Sequence, residues 1–293
     1  MDLTKLRAAL QQQKESLQLA PDPTAPSILD QFHDISETAE ERRGPCIVHA
    51  ELDDIAGHSY VVPITDTHVG SLSFMHKKMK AYLDWIVATP GVYAVGLGDL
   101  AENATKTSVG LGMFEEEYHL EKQMEVITEL LAPVAKAGKL LGLHRGNHEY
   151  RTAIATGLDP IKIVCKELDV PYLKDNAYHI WTVGDQEYRV VTAHGRSGSR
   201  TPGGKLNAIM RMRDVADADV YLMGHMHDRL YYEDAPYTFD REGAGQRLRK
   251  YCVCGSLLSY FQTYAEMSIF SPVRQAWVLL DFHKQRKDVR IHF

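Results

Sequence analysis

Five short apolar runs in this chain each stop on a carboxylate, an amide or an imidazole, and that repeated ending narrows the folds open to it. Residues 61–64 lead into Asp66-Thr67-His68, residues 92–97 into Gly98-Asp99, and residues 140–143 into His144-Arg145-Gly146-Asn147-His148-Glu149. Residues 188–193 run into His194-Gly195, and residues 220–223 into Gly224-His225-Met226-His227. Short apolar, β-branched runs bounded by turn formers read as buried strands. The polar groups therefore gather at strand ends, with residues 146–149 on a loop where Gly146 permits a tight turn.

Helical spacing fills the gaps between these runs. Residues 72–88 set Met75, Met79, Tyr82, Leu83 and Ile86 on one face, residues 114–131 form a long helix ending near Pro133, and residues 160–168 and 206–215 make two more. Residues 46–52 and 59–65 read as a hairpin closed around Gly57, and residues 177–183 and 188–193 as another around Gly184-Asp185. Residues 251–254, 276–282 and 289–293 close the chain as strands. Strands and helices alternate first and antiparallel strands follow. The expected class is α/β, a four-layer αββα sandwich of two mixed β-sheets flanked by helices. Residues 45–293 form this domain. Residues 1–44 read as an appendage, a helix over 2–19 and then a linker over 19–27 broken by Pro21, Pro23 and Pro26.

With 293 residues, 44% of them hydrophobic and 25% charged, the chain can build one substantial core. A net charge of −6 argues against a basic protein that coats nucleic acid. No apolar run approaches the roughly 20 residues that span a bilayer, and the polar, Gln-rich start lacks a secretion signal. A cytoplasmic location is the expectation, with no membrane partner. Cys46, Cys165, Cys252 and Cys254 are expected to be free thiols.

Together the five endings supply two Asp, one Asn and four ligand-grade His, with a fifth His to spare. Oxygen and imidazole donors without thiolate suit two neighbouring divalent cations that share a carboxylate. Asp66 and His68, like His225 and His227, lie two apart, and in an extended segment such residues point the same way. A pair of cations would lower the pKa of a shared water from about 15.7 toward about 7, making it a hydroxide nucleophile near neutral pH. Manganese is the favoured metal, with iron or zinc as the alternatives.

In this order the motifs resemble those of the calcineurin-like metallophosphoesterase superfamily over about residues 46–282, and more loosely its phage- and prophage-encoded members. The resemblance implies that Asp66, His68 and His227 hold one metal, that Asn147, His194 and His225 hold the other, and that Asp99 bridges them. His148, adjacent but not needed as a ligand, is the candidate general acid. Glu102 resembles the acidic residue that orients this histidine in related protein phosphatases. Those phosphatases carry Arg where this chain has Asn103, and they lack Gly-His-x-His. That form resembles the phosphodiesterase and nuclease branches instead.

The expected function is therefore a dinuclear-metal phosphoesterase acting on phosphodiester bonds of a nucleotide or nucleic acid. A phosphomonoesterase for protein or small-molecule substrates is the alternative, and a non-catalytic metal-binding scaffold a third reading. Arg196, Arg200 and Lys205, in a Ser- and Gly-rich loop after His194, are candidate phosphate contacts, with Arg151 and Lys106 as weaker ones. The same loop also reads as a plain surface connection ahead of a helix. Oligomeric state is not set by these patterns.

Overall fold

The computed structural model describes residues 44–104, 118–241, 243–261, 263–267, 269, 272 and 274–293. The chain parts into two units after Pro45, and all that follows concerns the second, Cys46–Phe293. The expected appendage helix and linker, residues 114–117 and Lys106 lie outside the described residues.

Two mixed sheets form the frame. One has five strands: β2 (His58–Ile64), β3 (Val92–Gly96), β4 (Leu140–Leu143), β12 (Leu279–His283) and β13 (Val289–His292), in the order β13-β12-β2-β3-β4. Within it β2, β3 and β4 run parallel, and β12 joins β2 antiparallel. The other has six: β1 (Cys46–Glu51), β5 (Asn176–Val183), β6 (Gln186–Ala193), β7 (Val220–Met223), β8 (Arg229–Asp234) and β11 (Arg249–Cys254), in the order β1-β5-β6-β7-β11-β8. Here β6, β7 and β11 are parallel. A small hairpin, β9 (Tyr237–Asp240) with β10 (Gly243–Gln246), stands beside them.

The period-two alternation of strand side chains sorts the core into layers. Val61, Val95 and Leu97 from one sheet meet Trp181, Val190, Val220 and Leu222 from the other in a shared interior. The neighbours Val62, Ile64 and Ala94 point the opposite way, onto helices α1 (His76–Ala88), α2 (Leu120–Lys136) and α4 (Pro160–Leu168). On the far side Val191, Tyr221 and Val253 pack against α5 (Pro202–Met210) and the 3-10 turn Arg211–Asp214. The result is helix, sheet, sheet, helix, as the alternation of elements predicts. A short α6 (Tyr264–Met267) completes the set. No described helix is long and apolar enough to cross a membrane. All four cysteines are free, three of them buried.

Three local expectations fail for identifiable reasons. Residues 46–52 and 59–65 are not a hairpin: β1 pairs parallel with β5, while β2 is central in the other sheet. A tight turn does form, Gly57 N donating to Asp54 Oδ1 at 3.0 Å, but it carries the chain from one sheet to the other. Helix α2 runs through Pro133 to Lys136, losing one backbone bond rather than ending. Asn147 is the first residue of helix α3 (Asn147–Thr156), not a loop residue.

Candidate metal centre

Every motif lies just beyond the C-terminal end of a parallel strand. Asp66 and His68 follow β2, Asp99 follows β3 and Asn147 follows β4, while His194 follows β6, and His225 and His227 follow β7. Parallel pairing continues into the loops, with Asp66 N donating to Gly98 O and His68 N to Asp99 O, both at 3.1 Å. Two bonds then tie the sheets together at this edge. His194 Nδ1 meets Leu97 O at 2.8 Å, and His225 N donates to Asp66 Oδ2 at 2.9 Å.

The backbone here is strained rather than extended. Ten described non-glycine residues have positive φ, and five are Asp66, His68, Asp99, His225 and His227. Asp and His tolerate this region better than most residues, yet each such position still costs on the order of 1–3 kcal/mol. The expectation that residues two apart share a face through extended geometry is therefore wrong. Left-handed kinks bring Asp66 and His68 to one group of ligands but send His225 and His227 to different ones. Gly146, in turn, is not a turn-former: its φ of −101° suits any residue. It is small because a Cβ there would overlap Asp99 Oδ1 and the Asp99 main-chain nitrogen. Gly224 likewise leaves no room for a Cβ beside Thr65 Oγ1.

The side chains converge in two groups. Asp66, His68 and His227 form one and Asp99, His194 and His225 the other, with potential ligand atoms of each group within 4.8 Å of one another. His227 Nε2 is 3.2 Å from His68 Nε2 and 3.1 Å from Asp66 Oδ1. His194 Nε2 is 3.2 Å from Asp99 Oδ2 and 3.0 Å from Asn147 Oδ1. Asp99 Oδ2 also lies 3.9 Å from His68 Nε2, so this carboxylate sits between the groups.

Tautomers show what the arrangement wants. His68 Nδ1 is 2.9 Å from Glu102 Oε2, and His194 Nδ1 faces a main-chain carbonyl, so both Nδ1 atoms donate. Their Nε2 lone pairs are thereby aimed at each other's neighbours, at Asp99, Asn147 and His227. Asp66 Oδ1 is buried with no aligned hydrogen bond. Lone pairs crowded onto carboxylates in a buried site call for positive charge between them. Without a cation, protons fill that role. Burial lowers the pKa of His68, but Glu102 and Asp99 outweigh it and lift it to about 9. Burial also opposes His194, and Asp99 lifts that ring to about 10. Burial disfavours the Asp99 carboxylate, yet His194 and His148 hold it well below the usual range. The donor set thus fits two divalent cations, with Asp66, His68 and His227 on one side, Asn147, His194 and His225 on the other, and Asp99 shared.

His148 belongs to neither of these two groups, but with His68 and Glu102 it makes a third close cluster of potential ligand atoms. Its main-chain N donates to Asp99 Oδ1 at 2.9 Å, and its Nε2 is 3.9 Å from Asp99 Oδ2. Glu102 reaches it differently from expectation: the main-chain oxygen of Glu102 takes His148 Nδ1 at 2.5 Å. The Glu102 carboxylate, 3.9 Å from His148, is bound to His68 instead. Burial pushes the His148 ring down to about 4.

Two supporting residues escaped the sequence reading. Glu149 is fully buried and accepts from Gly146 N at 2.7 Å and Ala101 N at 2.8 Å, joining the Asp99 and Asn147 loops. Burial and Asp99 raise its carboxyl to about 7. The signal was present as a glutamate three residues into a helix, a capping-box spacing. Asn103 donates to His148 O at 2.5 Å and accepts from Thr152 Oγ1 at 3.0 Å, bracing the histidine.

A cavity of about 490 Å³ opens over the site, lined by His68, Asp99, Asn147, His148, His225 and His227. Arg151, Arg200 and Lys205 also line it. Lys205 is already paired with Asp228 at 2.8 Å. Arg196 does not line the cavity; its guanidinium lies over the Tyr150 ring at 5.4 Å.

The sequence matches no family model and no curated protein. Among solved structures the chain aligns distantly with several. A conserved uncharacterized protein from Streptococcus pneumoniae, described as a predicted phosphoesterase, aligns at 10% identity and TM-score 0.37, covering 81% of this chain and 90% of that one. Wild-type Vps29 complexed with zinc, from Entamoeba histolytica, aligns at 12% identity and TM-score 0.37, covering 80% and 97%. Nuclease MPE from Pseudomonas putida aligns at 14% identity and TM-score 0.33, covering 78% and 85%.

Proposed function

We propose that this protein is a dinuclear-metal phosphoesterase that hydrolyses phosphodiesters of nucleotides or nucleic acid. The observation that carries this reading is the pair of Asp/His groups meeting at Asp99, with imidazole lone pairs turned inward. Two divalent cations bound there would offset phosphate charge and make water a nucleophile at neutral pH. Manganese suits these donors, with iron and zinc as alternatives.

The chain's own residues supply the rest. Glu102 and Leu97 O fix the ligand imidazoles in the metal-binding tautomer, a role that carries much of a site's affinity. His148, held through Nδ1 by Glu102 O, presents Nε2 to the cavity. Burial keeps the ring neutral near pH 7, so this nitrogen must first take up a proton before it can pass one to the leaving oxygen. Arg151 and Arg200 border the same space and can meet phosphate oxygens as planar forks. A cavity of about 490 Å³ is larger than a phosphate group alone needs and leaves room for the esterified groups. The diester preference rests on Gly224-His225-Met226-His227, the form that resembles phosphodiesterases and nucleases.

Turnover of bis-p-nitrophenyl phosphate and p-nitrophenyl phosphate, with manganese and with excess chelator, tests this directly. The diester should be cleaved faster, and chelation should abolish both reactions. Faster monoester cleavage would overturn the diester preference, and undiminished activity in chelator would overturn the metal mechanism.

A further inference from the structure

A second cavity, of about 460 Å³, lies beside α1 on the helix-facing side of the five-stranded sheet and shares no residue with the first. Its chemistry is inverted. Lys78 from α1, Arg229 at the head of β8, and Arg274 all line it, and no Asp or Glu does among the described residues. Lys78 donates to the main-chain oxygen of Gln275, a neutral partner. Arg229 Nε and Nη2 are buried with no hydrogen-bond partner among the described residues.

Cations gathered without a counter-charge repel one another, and buried donors left unpaired cost more still. Burial, with Arg274 and Arg229 close by, pushes the Lys78 ammonium below its usual range. Burial and Arg274 do the same to Arg229. An anion at this end of the cavity would relieve both strains at once.

The other walls are aromatic. Trp85 and Phe293 line the cavity with 39% and 50% of their surfaces exposed. Tyr82 and Trp277 add a tilted ring pair with centroids 5.2 Å apart. The Arg229 guanidinium carbon stands 5.0 Å from the centre of the Phe293 ring, so cationic and aromatic surfaces are continuous. A volume in the range of small-molecule sites, a cationic end and flat apolar walls describe one class of occupant.

We propose that this cavity binds a nucleotide-sized anion, a phosphate joined to a planar ring, with the phosphate at Lys78, Arg229 and Arg274 and the ring against Trp85 and Phe293. Arginine forks and a lysine suit phosphate oxygens, and aromatic faces suit a base. The inference is independent of the phosphoesterase reading, since it uses none of the metal-centre residues.

Calorimetric titration of the full chain with adenosine 5′-monophosphate tests it, in excess chelator so that the metal centre holds no ions. Saturable binding of one nucleotide per chain is expected. Arg229→Gln and Lys78→Met should each weaken it by at least about tenfold, the scale of a lost charge-assisted hydrogen bond. Trp85→Ala, at an exposed helix position, should weaken it without threatening the fold. Trp277 stays intact because its Nε1 holds Thr65 O at 2.9 Å, next to Asp66. Adenosine alone and inorganic phosphate alone should each bind at least about tenfold more weakly than the nucleotide, since hydrogen bonds to charged groups and base stacking each contribute on this scale. The proposal is overturned by absence of saturable binding, by unchanged affinity in folded Arg229→Gln and Lys78→Met, by adenosine or phosphate matching the nucleotide, or by binding that depends on Asp99 instead.

Discussion

Two pairs of buried histidines in this protein have opposite proton affinities. His68 and His194 sit at the strand ends with the carboxylates of Glu102 and Asp99 beside them, and their pKa values rise to about 9 and about 10. His144 and His179 are as deeply buried, and burial takes them down to about 4 and about 3. Their shared neighbour is a hydroxyl. Lys174 O takes Nδ1–H of His144 at 3.1 Å, so its Nε2 accepts from Thr192 Oγ1 at 2.7 Å, and His179 Nε2–H donates to the same oxygen at 2.8 Å. That chain ends at His179 Nδ1, buried and without a hydrogen-bond partner among the described residues. Burial is common to all four, so the neighbours decide. A carboxylate makes a buried imidazole a seat for positive charge, and a hydroxyl makes it a neutral packing element.

The comparison can be broken from either side. The largest effect is expected at His148, which touches the metal groups without joining them. His148→Ala should lower kcat by about 10²–10⁴-fold while metal content stays near that of the parent, checked by steady-state rates alongside elemental analysis. Loss of metal in that variant would make His148 a ligand instead.

Next comes the carboxylate that holds His68. Glu102→Gln keeps the shape and removes the charge, and should weaken metal binding by about 10–100-fold in a competition titration against a chelating dye. Unaltered affinity would show that the His68–Glu102 contact at 2.9 Å has no part in setting the ligand.

The smallest effect belongs to the packing pair. Both folded values lie below the unfolded histidine value of about 6.5, so unfolding takes up protons below that pH. Stability from these rings is therefore fully present above about pH 6.5 and drains as pH falls toward their folded values. At pH 5 each should have lost about 2 kcal/mol relative to pH 7. Urea midpoints at the two pH values, for the parent and His179→Gln, isolate one ring's share, because every other group titrates in both proteins. An equal pH response in both would contradict the assignment.

The layers of the fold were legible because period-two and helical spacing report local burial directly. Residues 92–97 and 220–223 need no partner information to read as buried strands. What spacing cannot carry is partner choice. Residues 46–52 and 59–65 look like neighbours along the chain, yet β1 finds β5 and β2 finds β3 and β12. At the site, residue types gave the donors, while backbone shape stayed hidden: no local pattern marks the positive φ at Asp66 or His225. The two jobs of Glu102 were also invisible, since its main-chain oxygen serves His148 and its carboxylate serves His68. Lys78 and Arg229 lie 151 positions apart in the sequence, so the cationic cavity had no local trace at all.

The most direct test of the metal centre is elemental analysis of manganese-loaded protein beside Asp99→Ala, after gel filtration to remove loose ions. The parent should retain two ions per chain and the variant neither, because Asp99 faces both groups of ligands. A parent that retains none, or a variant that holds two as firmly as the parent, would contradict the account.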